Sequence, residues 1–244
     1  MKNFISINGN TTELTDEQVR ELGFSPDTLL KQAIDELSAI VKSGNAREHY
    51  NLYDTVHIGD YELQIIGFDH DEDCNVDSLD VMFRDESPHT ITLMAKTLLP
   101  ARCMHNGACE NGWIDTDLRK YLNTEFINTL PQELVSHICT IEKETHNYDG
   151  KLFKTKDRLF IPSESELFGS AIWSDYEDGP RYEAFATCAD RIRLDEDGDG
   201  DWYWSRSARG GYSTYFAYVS YVGGAVYGYA SDTSIRAPLC FCLA

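Results

Sequence analysis

The feature that most constrains the fold of this chain is a tyrosine-rich stretch near its end, GYSTYFAYVSYVGGAVYGY, residues 211–229. It carries six tyrosines and no charged side chain. Buried strands favour Val, Ile, Leu and Phe, and each buried phenol would need a hydrogen-bond partner. The stretch also lacks helical periodicity. We therefore expect strands and turns that hold the phenol rings towards solvent on a rigid frame.

The wider segment 207–234 has the composition of a binding surface. Its 28 residues comprise six Tyr, five Ser, five Gly, four Ala, three Val, two Thr and one each of Arg, Phe and Asp. Lys, Glu, Gln, Met and Trp are absent. Tyrosine offers a large rigid contact area with few rotatable bonds, and Ser and Gly supply adaptable hydrogen bonding, as in an antibody paratope. This composition predicts recognition by contact area rather than by chemistry.

The charge distribution argues against nucleic acid and anionic membranes as the main partners. The formal net charge is −20, whereas phosphate binding needs clustered Lys and Arg. Residues 201–244 hold three arginines and two aspartates, so the excess of acid lies in residues 1–200. No segment approaches the length of a membrane span, and we expect no membrane insertion.

The cysteines predict a reduced protein that folds in the cytoplasm. There are seven of them, without regular spacing, and the opening MKNFISINGN lacks the apolar run of a signal peptide. The segment CMHNGAC, 103–109, contains two Cys and one His, but a second ligand pair at zinc spacing is missing, and we expect no metal or other cofactor. CFC at 240–242 is interpreted as a strand alternating around Phe241.

Residues 12–43 have helical patterns. Thr15 and Gln18 have the spacing of a capping box. Ser25 and Pro26 fit the N-cap and the first position of a second helix. We therefore predict a helical segment for docking or oligomerisation, residues 1–48, followed by a ligand-binding domain, residues 49–244.

The second predicted helix carries an apolar stripe with two open interpretations. Its members fall on one helical face: Leu29, Leu30, Ala33, Ile34, Leu37, Ile40 and Val41. The stripe either packs against the domain or forms a self-association or docking face that attaches the protein to a larger assembly.

The rest of the chain mixes strands with short helices, which predicts the α+β class. DTVHIGDYELQIIGFD predicts two strands around a Gly-Asp turn, DHDEDCNVDSLDV an acidic loop and HTITLMAKTLL a buried strand. DTDLRKYLNTEFINTLPQELVSHI predicts two helices, the first capped by Asp115 and the second starting at Pro131. CTIEKET and DRLFIP predict strands, and Ser163 and Glu166 have capping-box spacing.

The segment DEDGDGDW contains alternating carboxylates: Asp195, Asp197, Asp199 and Asp201. Such a cluster with glycines is a candidate for Ca²⁺. An EF-hand counted from Asp197 would need Gly and Glu where Trp202 and Ala208 stand, so that motif does not match. A solvated acidic turn is favoured, and a calcium site stays open.

Three tail segments resemble the C-terminal end of the variable proteins of diversity-generating retroelements. They are WYWSRSA (202–208), GGAVYGYAS (223–231) and IRAPLCF (235–241). Upstream, GDYELQIIGFDHD, LLPARCMHNG, GWIDTDLRKYLN, LPQELVSHI and RLFIPSESELFG are similar to a domain-of-unknown-function family of gut bacteria and phages that often carries such tails. Together these matches span residues 55–241, most of the chain.

This resemblance implies that the tail is hypervariable. In such systems, copying replaces template adenines at random, often within the asparagine codons AAC and AAT, whose third base stays a pyrimidine. Those codons cannot become codons for Lys, Glu, Gln, Met or Trp. The same five amino acids are missing from residues 207–234.

The resemblance also implies a C-type lectin-like fold, with a variable region at about 203–234 displayed on a fixed scaffold. The implied framework positions are Trp202, Trp204, Arg206, Ser207, Ala208, Gly223, Ala225, Ala230, Ile235, Arg236, Pro238 and Phe241. The implied ligand-binding positions are Tyr203, Arg209, Tyr212, Tyr215, Tyr218, Ser220, Tyr221, Val222, Gly224, Val226, Tyr227, Gly228, Tyr229 and Asp232. Arg206 and Arg236 are expected to form partly buried ion pairs with carboxylates.

We therefore expect a hypervariable ligand-binding protein without enzymatic activity. Its ligand would be a protein or carbohydrate on a bacterial surface, and a phage virion would carry it as a receptor-binding component. One alternative is an oxidoreductase similar to formylglycine-generating enzymes, with Cys240 and Cys242 as its thiols. Another is a Ca²⁺-dependent carbohydrate-binding lectin that uses Asp197, Asp199 and Asp201. The seven histidines lie outside any nucleophile motif such as G-x-S-x-G.

Overall fold

The computed structural model describes residues 3–7, 10–23, 25–72 and 89–244. This part of the chain is a mixed α+β structure with helices near the N-terminus and several small antiparallel sheets. It begins with a hairpin of β1 (Asn3–Ile7) and β2 (Asn10–Leu14). The predicted helical start at residue 12 is therefore wrong, because residues 12–14 pair with β1.

Three helices follow the hairpin: α1 (Asp16–Glu21), α2 (Pro26–Lys42) and α3 (Ala46–His49). The capping box of α1 is confirmed, since Gln18 N donates to Thr15 Oγ1 at 3.2 Å and Thr15 N donates to Gln18 Oε1 at 2.8 Å. Ser25 is the N-cap of α2, although its side chain makes no capping hydrogen bond. Pro26 stands in the first turn, where its missing N–H costs nothing.

The apolar stripe of α2 packs inside the molecule. Its buried members join the main hydrophobic core: Leu30, Ile34, Leu37 and Val41. Ser38 on the same helix donates its hydroxyl to Ala244 O at 2.7 Å. Burying each such aliphatic side chain contributes about 1.5–3 kcal/mol. Packing against the domain is therefore confirmed for these members of the stripe, and docking or oligomerisation through the N-terminal helices stays a prediction.

A four-stranded antiparallel sheet forms the centre of the fold. Its order is β13 (Cys240–Leu243), β5 (Ile91–Ala95), β4 (Tyr61–Phe68) and β3 (Thr55–Ile58). The predicted strand pair around Gly59-Asp60 and the predicted CFC strand are both confirmed. Every residue of β5 and β13 is buried. Of the predicted acidic loop after β4, residues 73–81 lie outside the described residues.

Two short helices cover this region: α4 (Asp117–Thr124) and α5 (Gln132–His137). Pro131 immediately precedes α5, as predicted. The N-cap of α4 is Thr116 rather than the predicted Asp115, because the hydroxyl of Thr116 accepts from Arg119 N. Asp115 instead ends the preceding 3-10 helix, Gly112–Asp115.

A hairpin of β6 (Ile141–His146) and β7 (Leu152–Asp157) leads to α6 (Glu164–Phe168). The capping box of α6 between Ser163 and Glu166 is confirmed. The predicted strand DRLFIP is interrupted after Asp157, and of its remaining described residues only Phe160 forms a bridge, with Cys240 of β13. The backbone N–H groups of Arg158 and Leu159 donate to the side chain of Asn123 instead of to a ladder.

The tail forms a small sheet of its own. A hairpin of β8 (Arg193–Leu194) and β9 (Gly200–Asp201) precedes a three-stranded sheet of β10 (Tyr203–Ala208), β11 (Tyr215–Val219) and β12 (Ala225–Tyr229). All six residues of β10 are buried, whereas β12 is half-buried and lies at the edge. Chain segments on either side of this sheet tie it to the rest of the fold, because Leu194 of β8 bridges Thr97 and β13 pairs with β5.

The described cysteines carry free thiols, as expected of a reduced protein: Cys103, Cys109, Cys139, Cys188, Cys240 and Cys242. None of the helices in the described ranges combines the length and the apolar character needed to cross a bilayer.

Candidate ligand-binding surface

The six tail tyrosines all reach solvent. Tyr212, Tyr221 and Tyr229 are 50%, 55% and 59% exposed. Tyr215, Tyr218 and Tyr227 are half-buried. We call these six residues, together with Arg209, Trp173 and Trp202, the tyrosine surface.

One side of the tyrosine surface is a packed group of rings around Arg209. In the sheet Tyr215 lies opposite Tyr229, and their ring centroids are 4.3 Å apart. Tyr227, two residues along the same face of β12, lies 5.8 Å from Tyr215 and 4.7 Å from Trp173. The guanidinium of Arg209 stands 3.8 Å from the centre of the Tyr227 ring. Each such aromatic pair contributes about 0.5–1.5 kcal/mol beyond area burial, so the rings hold one another in place.

The other side is a group around Trp202. Its indole lies 6.3 Å from the rings of Tyr218 and Tyr221. Tyr218 also meets the buried Trp204 edge-on at 5.8 Å. Gly228 makes room for this arrangement, since a Cβ there would lie 3.0 Å from Tyr218 Cε1. Trp202, expected as framework, is 39% exposed and therefore contributes to the surface.

The turn between β11 and β12 is braced from within. Gly223 N donates to Ser220 O at 2.8 Å, and Gly224 N donates to Ser220 Oγ at 3.1 Å. Ser220, an expected ligand-binding position, is only 8% exposed, and its hydroxyl supports the turn. Val222 at the tip is 55% exposed.

Tyr203 lies away from the tyrosine surface. It is fully buried, and its hydroxyl donates to Arg191 O at 2.7 Å. Burial raises the pKa of this phenol well above its ordinary value. The sequence of β10 does not reveal that Tyr203 is buried, because all six residues of the strand are covered and no exposed face sets one of them apart.

The remaining expected positions lie on or near β12. Val226 and Gly228 are half-buried in the strand, Gly224 is half-buried in the turn, and Arg209 joins the rings described above. Asp232 accepts from both Ser234 N and Ser234 Oγ, so its carboxylate closes a local turn. The structure thus brings most of the expected residues together along two strands and the turn that joins them.

Three carboxylates of the acidic segment between β8 and the end of β9 have structural partners. Asp195 Oδ1 accepts from Asp197 N at 2.9 Å and from Asp199 N at 3.0 Å, and these backbone hydrogen bonds lower the pKa of Asp195. Asp201 Oδ2 accepts from Arg236 Nε at 2.6 Å, and Glu196 pairs with the same arginine at 2.7 Å. The expected ion pair of Arg236 is confirmed.

Below the tail sheet lies a group of charged residues that we call the buried ion network. It consists of Asp71, Lys143, Glu166, Tyr182 and Arg206, none more than 7% exposed. Lys143 pairs with Asp71 and, at 2.7 Å, with Glu166. Arg206 pairs with Glu166 through both amino groups, and the Tyr182 hydroxyl donates to Asp71 Oδ2 at 2.8 Å. The expected ion pair of Arg206 is confirmed in this network.

The buried ion network contains two positive charges, on Lys143 and Arg206, and two negative charges, on Asp71 and Glu166. Burial by itself would raise the pKa of Glu166, but the charges of Arg206 and Lys143 outweigh it and hold that pKa below its ordinary value. The pKa of Asp71 is likewise lowered, with Lys143 opposing the effect of burial. His70, which stacks on Tyr182 at 3.8 Å, has its pKa lowered by burial.

Within the described ranges, three side chains are close enough together to be considered as metal ligands. They are His70, Asp71 and Glu166, whose potential ligand atoms lie within 4.8 Å of one another. Both carboxylates there already neutralise Lys143 and Arg206. A dication would add charge to a balanced buried site. The arrangement therefore fits a structural ion network better than a metal centre.

Sequence reasoning missed most of this network. The sequence pattern places Asp71 in an acidic loop and indicates for Glu166 only a helix-capping role. Glu166 performs both roles, since its Oε2 also accepts from Ser163 N at 2.9 Å. The available signal was Arg206 alone, because a buried arginine needs a carboxylate from somewhere in the chain.

The thiols of Cys240 and Cys242 are fully buried in β13. Burial raises the pKa of both, which disfavours the thiolate that a nucleophile or redox thiol requires. Cys242 lies 3.3 Å from Thr92 Oγ1, in the core. This environment is typical of structural cysteines.

Comparison with known proteins places the tail and the core of the fold in one family. A family model described as a domain of unknown function, DUF6273, matches residues 89–244, well over half of the chain. Searches of curated proteins and of solved structures return no match. The matched region contains the tail sheet, β13 and all members of the buried ion network except Asp71. The chain therefore belongs to the DUF6273 family.

Proposed function

We propose that this protein is a non-enzymatic ligand-binding protein whose binding site is the tyrosine surface. The observation that carries the proposal is that all six tyrosines of residues 211–229 reach solvent while β10, the strand at the other side of their sheet, is buried throughout. Rigid amphipathic rings bind with little loss of conformational entropy on contact. A pre-packed aromatic surface with hydroxyl groups suits a protein or carbohydrate ligand.

We further propose that the chain is a variable protein of a diversity-generating retroelement with a C-type lectin-like fold. Support comes from the division of the tail into two classes of position. Most residues of the implied framework are buried: Trp204, Arg206, Ser207, Ala208, Gly223, Ala230, Ile235, Pro238 and Phe241. Most positions that the resemblance marks as substitutable reach solvent, so they can change without disturbing the core.

The ligand we propose is a molecule on a bacterial surface, bound by a protein that a phage virion carries. The buried thiols of β13 favour this over an oxidoreductase, and the ion pair of Asp201 with Arg236 favours it over a calcium-dependent lectin. The oxidoreductase would need thiols that are buried in the core, and the calcium site would need the Asp201 carboxylate, which already pairs with Arg236.

A triple variant tests the binding site. Tyr212→Ala, Tyr221→Ala and Tyr229→Ala remove the three most exposed rings and leave the core intact. Because hot-spot aromatics cost about 2 kcal/mol or more each, we expect at least a hundredfold loss of binding to intact gut bacterial cells or to a glycan array. The lost ring pairs should lower the unfolding temperature modestly, while the circular dichroism spectrum at the assay temperature should remain that of the folded protein.

Leu152→Ala provides the matched control, since Leu152 is 43% exposed on β7, outside the tail sheet. It should bind like the wild type. Undiminished binding by a folded triple variant to the cells or glycans that bind the wild type would show that the tyrosine surface is not the binding site.

Sequencing of the flanking DNA tests the proposed hypervariability separately. We expect a near-identical, adenine-rich copy of the last coding segment beside a reverse transcriptase gene. If no such copy lies nearby, the chain is not a retroelement variable protein. The proposed binding surface would then depend only on the result of the triple variant.

A further inference from the structure

A cavity apart from the tyrosine surface has a volume of about 410 Å³. It lies between the start of β8, the preceding 3-10 helix (Ala189–Arg191) and Gln64 on β4 of the central sheet. Its lining residues are Tyr53, Gln64, Lys96, Ala189, Asp190, Ile192, Arg193 and Leu194. Two cations and one carboxylate give it a net positive charge in a protein whose net charge is −20.

Arg193 is the unusual member of this lining. It is only 3% exposed, and no carboxylate oxygen of the described residues lies within 4.0 Å of its guanidinium. Its amino groups donate to Asp190 O at 3.0 Å, Ile192 O at 2.8 Å and Gln64 Oε1 at 3.0 Å. Its Nε–H has no hydrogen-bond partner in the described part of the chain.

A buried cation without a counter-charge is costly, and proteins generally pair such groups. Arg206 and Arg236 each have carboxylate partners. The buried Arg191 has no carboxylate partner among the described residues, but it donates from its Nε and from both amino groups, so the unpaired Nε–H distinguishes Arg193. Burial lowers the pKa of Arg193, as expected of a cation that lacks full compensation. An anion from outside the chain would supply the missing charge.

The other charged groups of the cavity leave room for that anion. The carboxylate of Asp190 is engaged by Thr187, whose N–H and hydroxyl donate to it at 2.6 and 2.8 Å. Lys96 pairs with Glu62 at 3.6 Å, and both side chains are 39% exposed, so this pair is weak and leaves Lys96 able to turn to another anion. The remaining walls are aliphatic or aromatic: Tyr53, Ala189, Ile192 and Leu194.

We propose that this cavity binds a small organic monocarboxylate, with its carboxylate directed to Arg193 and Lys96 and its apolar part against Ile192 and Leu194. Arginine forms strong charge-assisted hydrogen bonds with carboxylates. The apolar walls distinguish this ligand from inorganic anions, which would gain nothing from them. The proposal is independent of the tyrosine surface.

Titration of the wild-type protein with benzoate, monitored by NMR, tests the proposal directly. We expect saturable shifts of the Gln64 side-chain amide and the Ile192 methyl groups. Benzamide, the neutral isostere, should bind at least about tenfold more weakly, because it cannot form the charge-assisted pair. Acetate should also bind more weakly, because it lacks the apolar part. Equal affinity for benzoate and benzamide, or no shift with benzoate, would overturn the proposal.

Two variants locate the site without relying on Arg193, whose replacement could impair folding. Ala189→Phe fills the cavity from its exposed side and should abolish the benzoate shifts. Lys96→Ala should weaken binding about threefold or more, while Lys154→Ala, an exposed lysine on β7, should leave it unchanged. Full benzoate affinity in folded Ala189→Phe would place binding elsewhere and refute the assignment.

Discussion

Gly223 and Gly224 are neighbours in the turn between β11 and β12, but their surroundings differ. Gly223 has a φ of +79°, and a Cβ there would lie 1.9 Å from the carbonyl oxygen of Cys188. For Gly224 the nearest atom, Ser220 Oγ, would lie 3.4 Å away, which is ordinary contact. The backbone of Cys188 cannot move as easily as a side chain. Gly223 is therefore required by the fold, whereas Gly224 is not.

Alanine substitutions at these two positions should separate framework from substitutable sites. Gly223→Ala combines a left-handed backbone with a backbone clash, and we expect a loss of about 2–4 kcal/mol in the free energy of unfolding. Gly224→Ala should change it by less than about 1 kcal/mol. Urea denaturation measures both. Similar values for the two variants would contradict this division of the turn.

At the scale of the elements, the sequence predicted what short-range interactions determine. The capping boxes of α1 and α6 were predictable because each joins residues three positions apart, Thr15 to Gln18 and Ser163 to Glu166. The strands β3, β4, β5, β6 and β13 were predictable from their apolar content and turns.

Where the prediction of elements failed, a distant residue decided the outcome. DRLFIP has the composition of a strand, but the side chain of Asn123 accepts the N–H groups of Arg158 and Leu159. Tyr203 is buried rather than exposed for a similar reason. Its side of β10 is covered by an earlier part of the chain, where Arg191 O accepts from the Tyr203 hydroxyl. The tyrosine surface could be anticipated from composition, but its two groups of rings depend on the strand register.

At the scale of the whole molecule, the buried ion network joins segments that are far apart in the chain. Asp71 follows β4, Lys143 lies on β6, Glu166 on α6 and Arg206 on β10, and Tyr182 lies in the connection between α6 and β8. No local pattern could predict such a network, since each member has its partner 20 or more residues away. It links the tail sheet to the core by charge as well as by packing.

Glu166→Gln should destabilise the protein strongly. It leaves Lys143 and Arg206 opposed by Asp71 alone, and breaking a buried pair in this way costs about 3–5 kcal/mol. Glu142→Gln, which affects an exposed pair with Lys154, should leave the urea midpoint unchanged. Equal midpoints for the two variants would show that the network contributes little to stability.

The same variant should alter the response to acid. The pKa values of Glu166 and Asp71 are lower in the folded state than their ordinary values near 4, so their contribution to stability is present above that pH and is lost as the pH falls. Asp178, whose pKa is raised by burial, acts in the opposite direction. His70, whose pKa burial lowers, acts in the same direction as the two carboxylates from about pH 6.5 downwards. Because three groups oppose one, wild-type stability should decline from about pH 6 and most steeply below about pH 4. Glu166→Gln should show a shallower decline in urea midpoint over the same range.

The location of the buried ion network has an evolutionary consequence. Its anions and its lysine come from outside the tail, and its one tail member, Arg206, is buried on β10 at a distance from the exposed rings. Replacing Tyr212, Tyr221 or Tyr229 removes no partner from it. Under the tail variability proposed above, the exposed rings can therefore be exchanged while the buried charge pairs that join the sheets stay the same.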